Sequence, residues 1–193
     1  MDTMQTAAPL VHRSLDATNR HARELARQVV EGHMTLDAPY QRGSVWTERQ
    51  QRDLVRSWML GLPVPAIVIS RRYAVKTFDQ GDSPAFEFAA IDGKQRLQAA
   101  IAWFFGDLAV PASWFDADDV EATVETDDGP YVRYADLVIS RQRFITNRCL
   151  IPVAETTLGS IAAEAEVFGL LNGSGVPQTD DDMARAAAIA AGE

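Results

Sequence analysis

The residues best placed to do chemistry stand together as Asp92-Gly93-Lys94-Gln95-Arg96. An apolar run, Phe88 to Ile91, ends where they begin. Apolar residues then recur at Leu97, Ile101, Phe104 and Phe105, close to helical spacing. The pattern predicts a buried strand, a sharp turn and a helix. Asp92 is expected as the N-cap, Gln95 as its capping-box partner three residues on, and Gly106 at the C-terminal end. A helix N-terminus presents backbone N–H groups and partial positive charge, which suits phosphate. Lys94 and Arg96 in the first turn oppose the helix dipole, so local helix stability does not explain them, whereas an anion would. The alternative is plainer: Asp92 caps, Gly93 turns, and the two cations are solvated.

Two other stretches carry groups of similar character. Tyr40-Gln41-Arg42-Gly-Ser-Val-Trp46 precedes a helix that opens with the capping box Thr47-Glu-Arg-Gln50, runs from Glu48 to Leu60 and ends at Gly61. Arg42 is either a fork-shaped anion donor or one half of an internal ion pair. Val167-Phe168-Gly-Leu-Leu-Asn172-Gly closes a helix expected from about Leu158. Asn172 is either a polar donor or a left-handed cap. Trp46 and Trp58 are read as core residues.

The remaining elements must position these groups. A helix is expected from about Thr18 to Glu31, with Ala22, Leu25, Ala26 and Val29 on its inner face and Arg20, Arg23 and Arg27 on a solvated one. Met34 to Asp37 is a short strand candidate. Ala66–Ser70 and Phe86–Ile91 are β-rich runs expected to pair antiparallel across a loop over 71–85. Between Asp107 and Pro130 there are eight acids and no Lys or Arg, read as a solvated insertion, because the spacing fits no calcium loop. Arg133, Arg141, Arg143 and Arg148 follow as ion-pair partners for it. Cys149 to Ala154 is a strand, and Met183 to Ala191 a last helix capped by the run Thr179-Asp-Asp-Asp182.

The totals bound the class. The 193 residues suffice for one domain with a real core, read as a loose arm over 1–13 and a single domain over 14–193. Net charge is 18 − 27 = −9, against a broad basic surface for sequence-independent DNA binding but compatible with a local basic pocket. One cysteine, Cys149, excludes an intramolecular disulfide and a cysteine-rich zinc site. There is no membrane-spanning run and no signal-like N-terminus, so the expectation is a soluble cytoplasmic protein.

The three motifs, in this order and spacing, resemble the N-terminal domain of the GmrSD-type modification-dependent restriction proteins. That domain is similar to the ParB/sulfiredoxin group. The resemblance covers about residues 18 to 190. It implies an α+β fold with a small mixed sheet packed by helices, and a nucleoside triphosphate and Mg²⁺ as cofactors. It further implies nucleotide binding coupled to DNA-related defence, with hydrolysis in several members. On the matching positions, Gln41, Arg42, Gly93, Lys94 and Asn172 become the nucleotide-binding set. Asp92, Arg96 and Gln95 become the catalytic set, with Asp92 the metal ligand. Lys94 departs from the Asp-Gly-Gln-Gln-Arg form, placing an ammonium where many members have an amide. All three histidines lie within the first 33 residues, so a His-Asn-His nuclease centre has no support in this chain. Three readings follow: a Mg²⁺-dependent NTPase, a non-catalytic sensing module serving a separate nuclease that contacts DNA, or a carboxylate-only nickase. Homo-oligomerisation stays open.

Overall fold

The computed structural model describes residues 9, 12, 15–41, 46–75 and 86–173. Five strands form a mixed sheet in the order β1-β8-β3-β4-β2. These are β1 (Asp16–His21), β2 (Met34–Thr35), β3 (Ile67–Arg71), β4 (Phe88–Asp92) and β8 (Leu150–Thr156). β3 and β4 pair antiparallel, as the sequence suggests, with a register irregularity between Val68 and Ile69, while β2–β4 and β3–β8 are parallel. The helices are α1 (Ala22–Val30), α2 (Glu48–Leu60), α3 (Lys94–Phe104), α4 (Ile139–Arg148) and α5 (Ile161–Gly173). α3 packs against α1 and α2, and α5 packs on β4. This is the α+β architecture expected.

One apolar core joins these layers. Leu25 and Ala26 of α1, Val55 and Trp58 of α2, Ile67 and Ile69 of β3, Leu97 and Trp103 of α3, and Ile151 and Val153 of β8 all belong to it. Helix α2 begins and ends as its sequence predicts. Thr47 and Gln50 form the reciprocal capping box, and Gly61 takes the left-handed conformation at φ 69°. Trp58 also donates its indole N–H to the Leu150 carbonyl, tying α2 to β8.

Three expectations are corrected. The first helix starts at Ala22, because residues Thr18 to His21 belong to β1. This strand shows no apolar alternation. It is held by antiparallel pairing from Asp16↔Glu155 to His21↔Leu150, and Arg20 reaches Glu155 at 2.9 Å. Pairing with a neighbour decides the conformation where local propensity is weak, and a polar edge strand resists unwanted pairing. Next, the acidic stretch is not merely a solvated insertion. β5 (Ala109–Pro111), β6 (Val124–Thr126) and β7 (Gly129–Arg133) make a second antiparallel sheet, with Val110 and Val132 in the main core. Arg52 of α2 binds it through the Ala109 carbonyl at 2.8 Å and lies over the Tyr131 ring. Finally, residues 139–148, which sequence reading left without an element, form α4. The expected pairing of the later arginines with the acidic stretch holds for Arg133 with Asp107 and for Arg141 with Asp119, whereas among the described residues Arg143 and Arg148 reach no carboxylate; Arg133 also meets Asp136, outside that stretch. The helix expected over Met183 to Ala191 lies outside the described residues.

Helix α5 is anchored by a buried charge. Glu164 is fully buried and receives both Arg72 Nε at 2.9 Å and Arg72 Nη2 at 2.6 Å. Tyr40 donates its hydroxyl to Glu164 Oε2 at 3.1 Å, and its ring meets Phe168 at 5.5 Å. Burial, and then the Glu164 charge, push the Tyr40 hydroxyl well above its ordinary pKa, so it stays a donor. Removing one partner of a buried pair leaves an uncompensated charge and costs about 3–5 kcal/mol. Glu164→Gln is therefore expected to lower the stability measured by urea unfolding by roughly that amount. A change below about 1 kcal/mol, the range of exposed pairs, would show that Glu164 is not the anchor of α5.

Candidate functional site: a cleft at the β4–α3 junction

Strand β4 delivers the chain into the site. Ala89, Ala90 and Ile91 are fully buried, and Asp92 is its last residue. The chain then turns through Gly93 at φ 97°, and α3 starts at Lys94. A Cβ on Gly93 would run into the Ile67 side chain, within 2.7 Å of Ile67 Cβ. Gly93 is thus required by conformation and by space. This corrects the expected cap: Gly93, not Asp92, is the N-cap, and no side chain caps the helix. At the far end the C-cap is Phe105, with Gly106 just beyond it.

The two cations of the first turn are paired, which answers part of the puzzle they set. Arg96 Nη2 lies 2.7 Å from Asp92 Oδ2 and also donates to the Ala66 carbonyl at 3.1 Å. Lys94 Nζ lies 2.8 Å from Asp37 Oδ1. The partners differ: the Asp37 side chain is 89% exposed and that of Asp92 33%. An exposed pair of the first kind contributes little and exchanges readily. The Arg96 Nε is buried without a hydrogen-bond partner among the described residues.

The other motifs arrive at the same place. Gln41 donates its side-chain amide to the carbonyls of Ala90 and Ile91, at 2.6 and 3.1 Å, so it is fastened to the end of β4. Its Oε1 is buried and has no partner among the described residues. Gln95 does not close a capping box; its Oε1 accepts the Trp46 backbone N–H at 2.9 Å and so fixes the chain entering α2. Asn172 lies within α5 rather than in a left-handed cap, its amide on the Phe168 carbonyl at 2.9 Å. Arg42 lies outside the described residues.

These groups surround one cleft of about 610 Å³. Its floor is the Ile91–Gly93 turn and the first turn of α3, through Arg96. Gln41 and Trp46 form one wall, and Phe168, Gly169 and Asn172 of α5 the other. Trp46, expected in the core, packs against it but also faces this cleft. The volume falls within the range of small-molecule sites. The structure thus brings together Gln41, Asp92, Gly93, Lys94, Gln95, Arg96 and Asn172. Sequence reading missed Arg72, Glu164 and Asp37, which position the wall or partner Lys94; partners so distant in the chain leave no local signal. Among the described residues no three His, Cys, Asp or Glu side chains gather as a metal site. Burial pushes the Cys149 thiol up to about 12, so it is protonated at neutral pH and packs as a small apolar group.

An α+β domain with a glycine-turned strand–helix junction, opening on a cleft that holds two cations, is the class these observations define. Residues 25–189 match the family described as GmrSD restriction endonuclease, N-terminal domain, and the chain belongs to that family. This ties it to restriction and DNA-related defence. No match was found among curated proteins or among solved structures. No helix among the described residues is long and apolar enough to cross a membrane.

Replacing Gly93 by Ala imposes a left-handed conformation costing about 1–2 kcal/mol and overpacking against Ile67 of about 1–3 kcal/mol. Thermal unfolding of Gly93→Ala is expected to show a loss of about 2–5 kcal/mol on those two contributions. Wild-type stability in that variant would contradict the close packing of the turn.

Proposed function

We propose that the cleft binds a nucleoside triphosphate, with its phosphates over the first turn of α3. The observation that carries this is the convergence of three separate sequence motifs on one cleft whose floor is an uncapped helix start flanked by Lys94 and Arg96. Lys94 would exchange the exposed Asp37 for phosphate, and Arg96 would offer its remaining N–H groups. The backbone N–H groups of Gly93 and Lys94 would add the fixed dipoles of the turn. Arg42, next to Gln41 in the chain, would supply a further fork of donors. The unpartnered Gln41 Oε1 suits an N–H or O–H of the base or ribose. Asn172 would donate from the α5 wall.

The residues also fit Mg²⁺ held largely by the nucleotide. That ion keeps several waters and takes one or two carboxylates together with substrate phosphates, and Asp92 is the one carboxylate on the cleft floor among the described residues. Bound there, it would neutralise phosphate charge. Asp92 and Arg96 would act as catalytic groups, with Gln95 as a positioner, since an amide cannot take up a proton at neutral pH. A second reading, binding without turnover, is favoured by one specific contact: Asp92 already spends an oxygen on Arg96 at 2.7 Å. In that reading the domain senses nucleotide and a separate nuclease acts on DNA.

The test is a thermal-shift series with ATP, GTP, CTP and UTP, with and without Mg²⁺, alongside phosphate release. At least one nucleotide should stabilise the chain by about 2.7 kcal/mol at a hundredfold excess over its Kd. Lys94→Ala and Arg96→Ala should each weaken binding by about tenfold, the worth of one charge-assisted contact. Phosphate release lost in Asp92→Asn with binding kept selects the enzymatic reading; stabilisation without release selects the sensing one. No stabilisation by any of the four overturns the nucleotide site.

A further inference from the structure

A second polar hollow, sharing no residue with the cleft, lies between α1 and α4. It measures about 240 Å³ and its wall includes Arg23, Gln142, Arg143, Thr146 and Asn147, with Tyr134 and Ile139, and among the described residues no carboxylate. That is unusual on a chain of net charge −9. Helix α4, Ile139-Ser-Arg-Gln-Arg-Phe-Ile-Thr-Asn-Arg148, holds three arginines and no acid.

The arginines here differ from most others in the molecule. Arg20, Arg27, Arg52, Arg71, Arg72, Arg96, Arg133 and Arg141 each sit within ion-pair reach of a carboxylate. Among the described residues, Arg23, Arg143 and Arg148 have none. Arg49 and Arg56, also without one, stand exposed on α2. Two of these three, Arg23 of α1 and Arg148 of α4, are held by stacking instead. The Arg23 guanidinium lies over Phe105 and Tyr134 at 5.4 and 6.0 Å, and Arg148 lies over Phe144 at 4.3 Å. Stacking uses the face of a guanidinium and leaves its N–H edge for an acceptor. The walls are fixed as well: Gln142 donates to the Leu137 carbonyl at 2.7 Å, and Thr146 shares a 2.7 Å hydrogen bond with Tyr134. Arg143 and Asn147 are exposed beside them.

We propose that this hollow and the exposed face of α4 bind the backbone of a nucleic acid. A phosphate would sit between Arg23 and Arg143, with Asn147 as a neutral donor, and the neighbouring phosphate would meet Arg148. Positive charge without internal partners, on an otherwise acidic surface, is complementary to a polyanion. Membership in a restriction family makes DNA the relevant polyanion. The contact is to phosphate, so it positions a strand rather than reading its bases. It gives the domain its own hold on DNA, whatever the cleft binds.

Fluorescence anisotropy with a labelled single strand and a labelled duplex, at several salt concentrations, tests this on the full chain. Arg143→Ala and Arg148→Ala are each expected to lower affinity about fivefold and to reduce the salt slope by roughly one. Arg56→Ala should match wild type, and all three variants should keep the wild-type melting temperature and its response to nucleotides. Failure of the cleft reading leaves this result untouched, since the hollow shares no residue with it. Several outcomes would overturn the proposal: no binding by wild type at low salt, equal losses in Arg56→Ala, or competition by millimolar inorganic phosphate as effective as by unlabelled oligonucleotide. So would self-association in sedimentation velocity that Arg143→Ala abolishes while anisotropy is unchanged, which would assign the face to a second acidic copy of the chain.

Discussion

The backbone contact of Gly93 with Ile67 is the constraint on which the site depends. At φ 97° the chain leaves β4 and enters α3 within one residue, and it does so against a neighbouring strand with no space for a Cβ. That close approach fixes where the helix begins. It also leaves the helix start without a side-chain cap and turns it toward open volume rather than toward the core. An N-terminus left uncapped keeps orphan N–H groups in want of an acceptor. Cations in the same turn make an anion the fitting acceptor.

The rest of the fold holds that corner still. Gln41 is hydrogen-bonded to the last carbonyls of β4, and Gln95 to the backbone of Trp46, so one wall of the cleft is tied to its floor across nearly fifty residues of chain by amide side chains. Across the opening, the Arg72–Glu164 pair and Tyr40 fix α5 to the sheet. Buried charge is an expensive way to hold a helix, and apolar packing of the same volume is often as stable. Here it sets the register of α5, on which the placing of Phe168 and Asn172 depends. The paired states of Lys94 and Arg96 explain how a pocket of this kind persists without ligand: each cation has an internal carboxylate, and the more exposed of the two pairs exchanges at little cost.

Much of this was legible in the sequence, and the failures have physical causes. The strand–turn–helix at Asp92 was readable because an apolar run, a glycine and a helical period follow one another within a few residues. The Thr47 box and the Gly61 end of α2 were readable for the same reason: their determinants are local. The cap at Asp92 was misread because a strand-to-helix turn this tight puts Gly93 in the cap position and leaves the Asp92 carboxylate to pair with Arg96. Thr18 to His21 of strand β1 was read as the start of the helix because Asp16–His21 has no apolar alternation, and pairing with β8 decides its conformation. Helix α4 escaped notice because only Ile145 of its ten residues is buried, so it shows no apolar stripe. Glu164 and Arg72, 92 residues apart, could be matched only by the fold.

The central claim is that phosphate oxygens settle on the first turn of α3. The most direct measurement is a titration of isotopically labelled protein with a nucleoside triphosphate, followed through its backbone amide resonances. Binding at the junction predicts that the amides of Gly93 and Lys94 move first and furthest, with Gln41 next. Unmoved resonances there, or larger shifts at a distant surface, would contradict it.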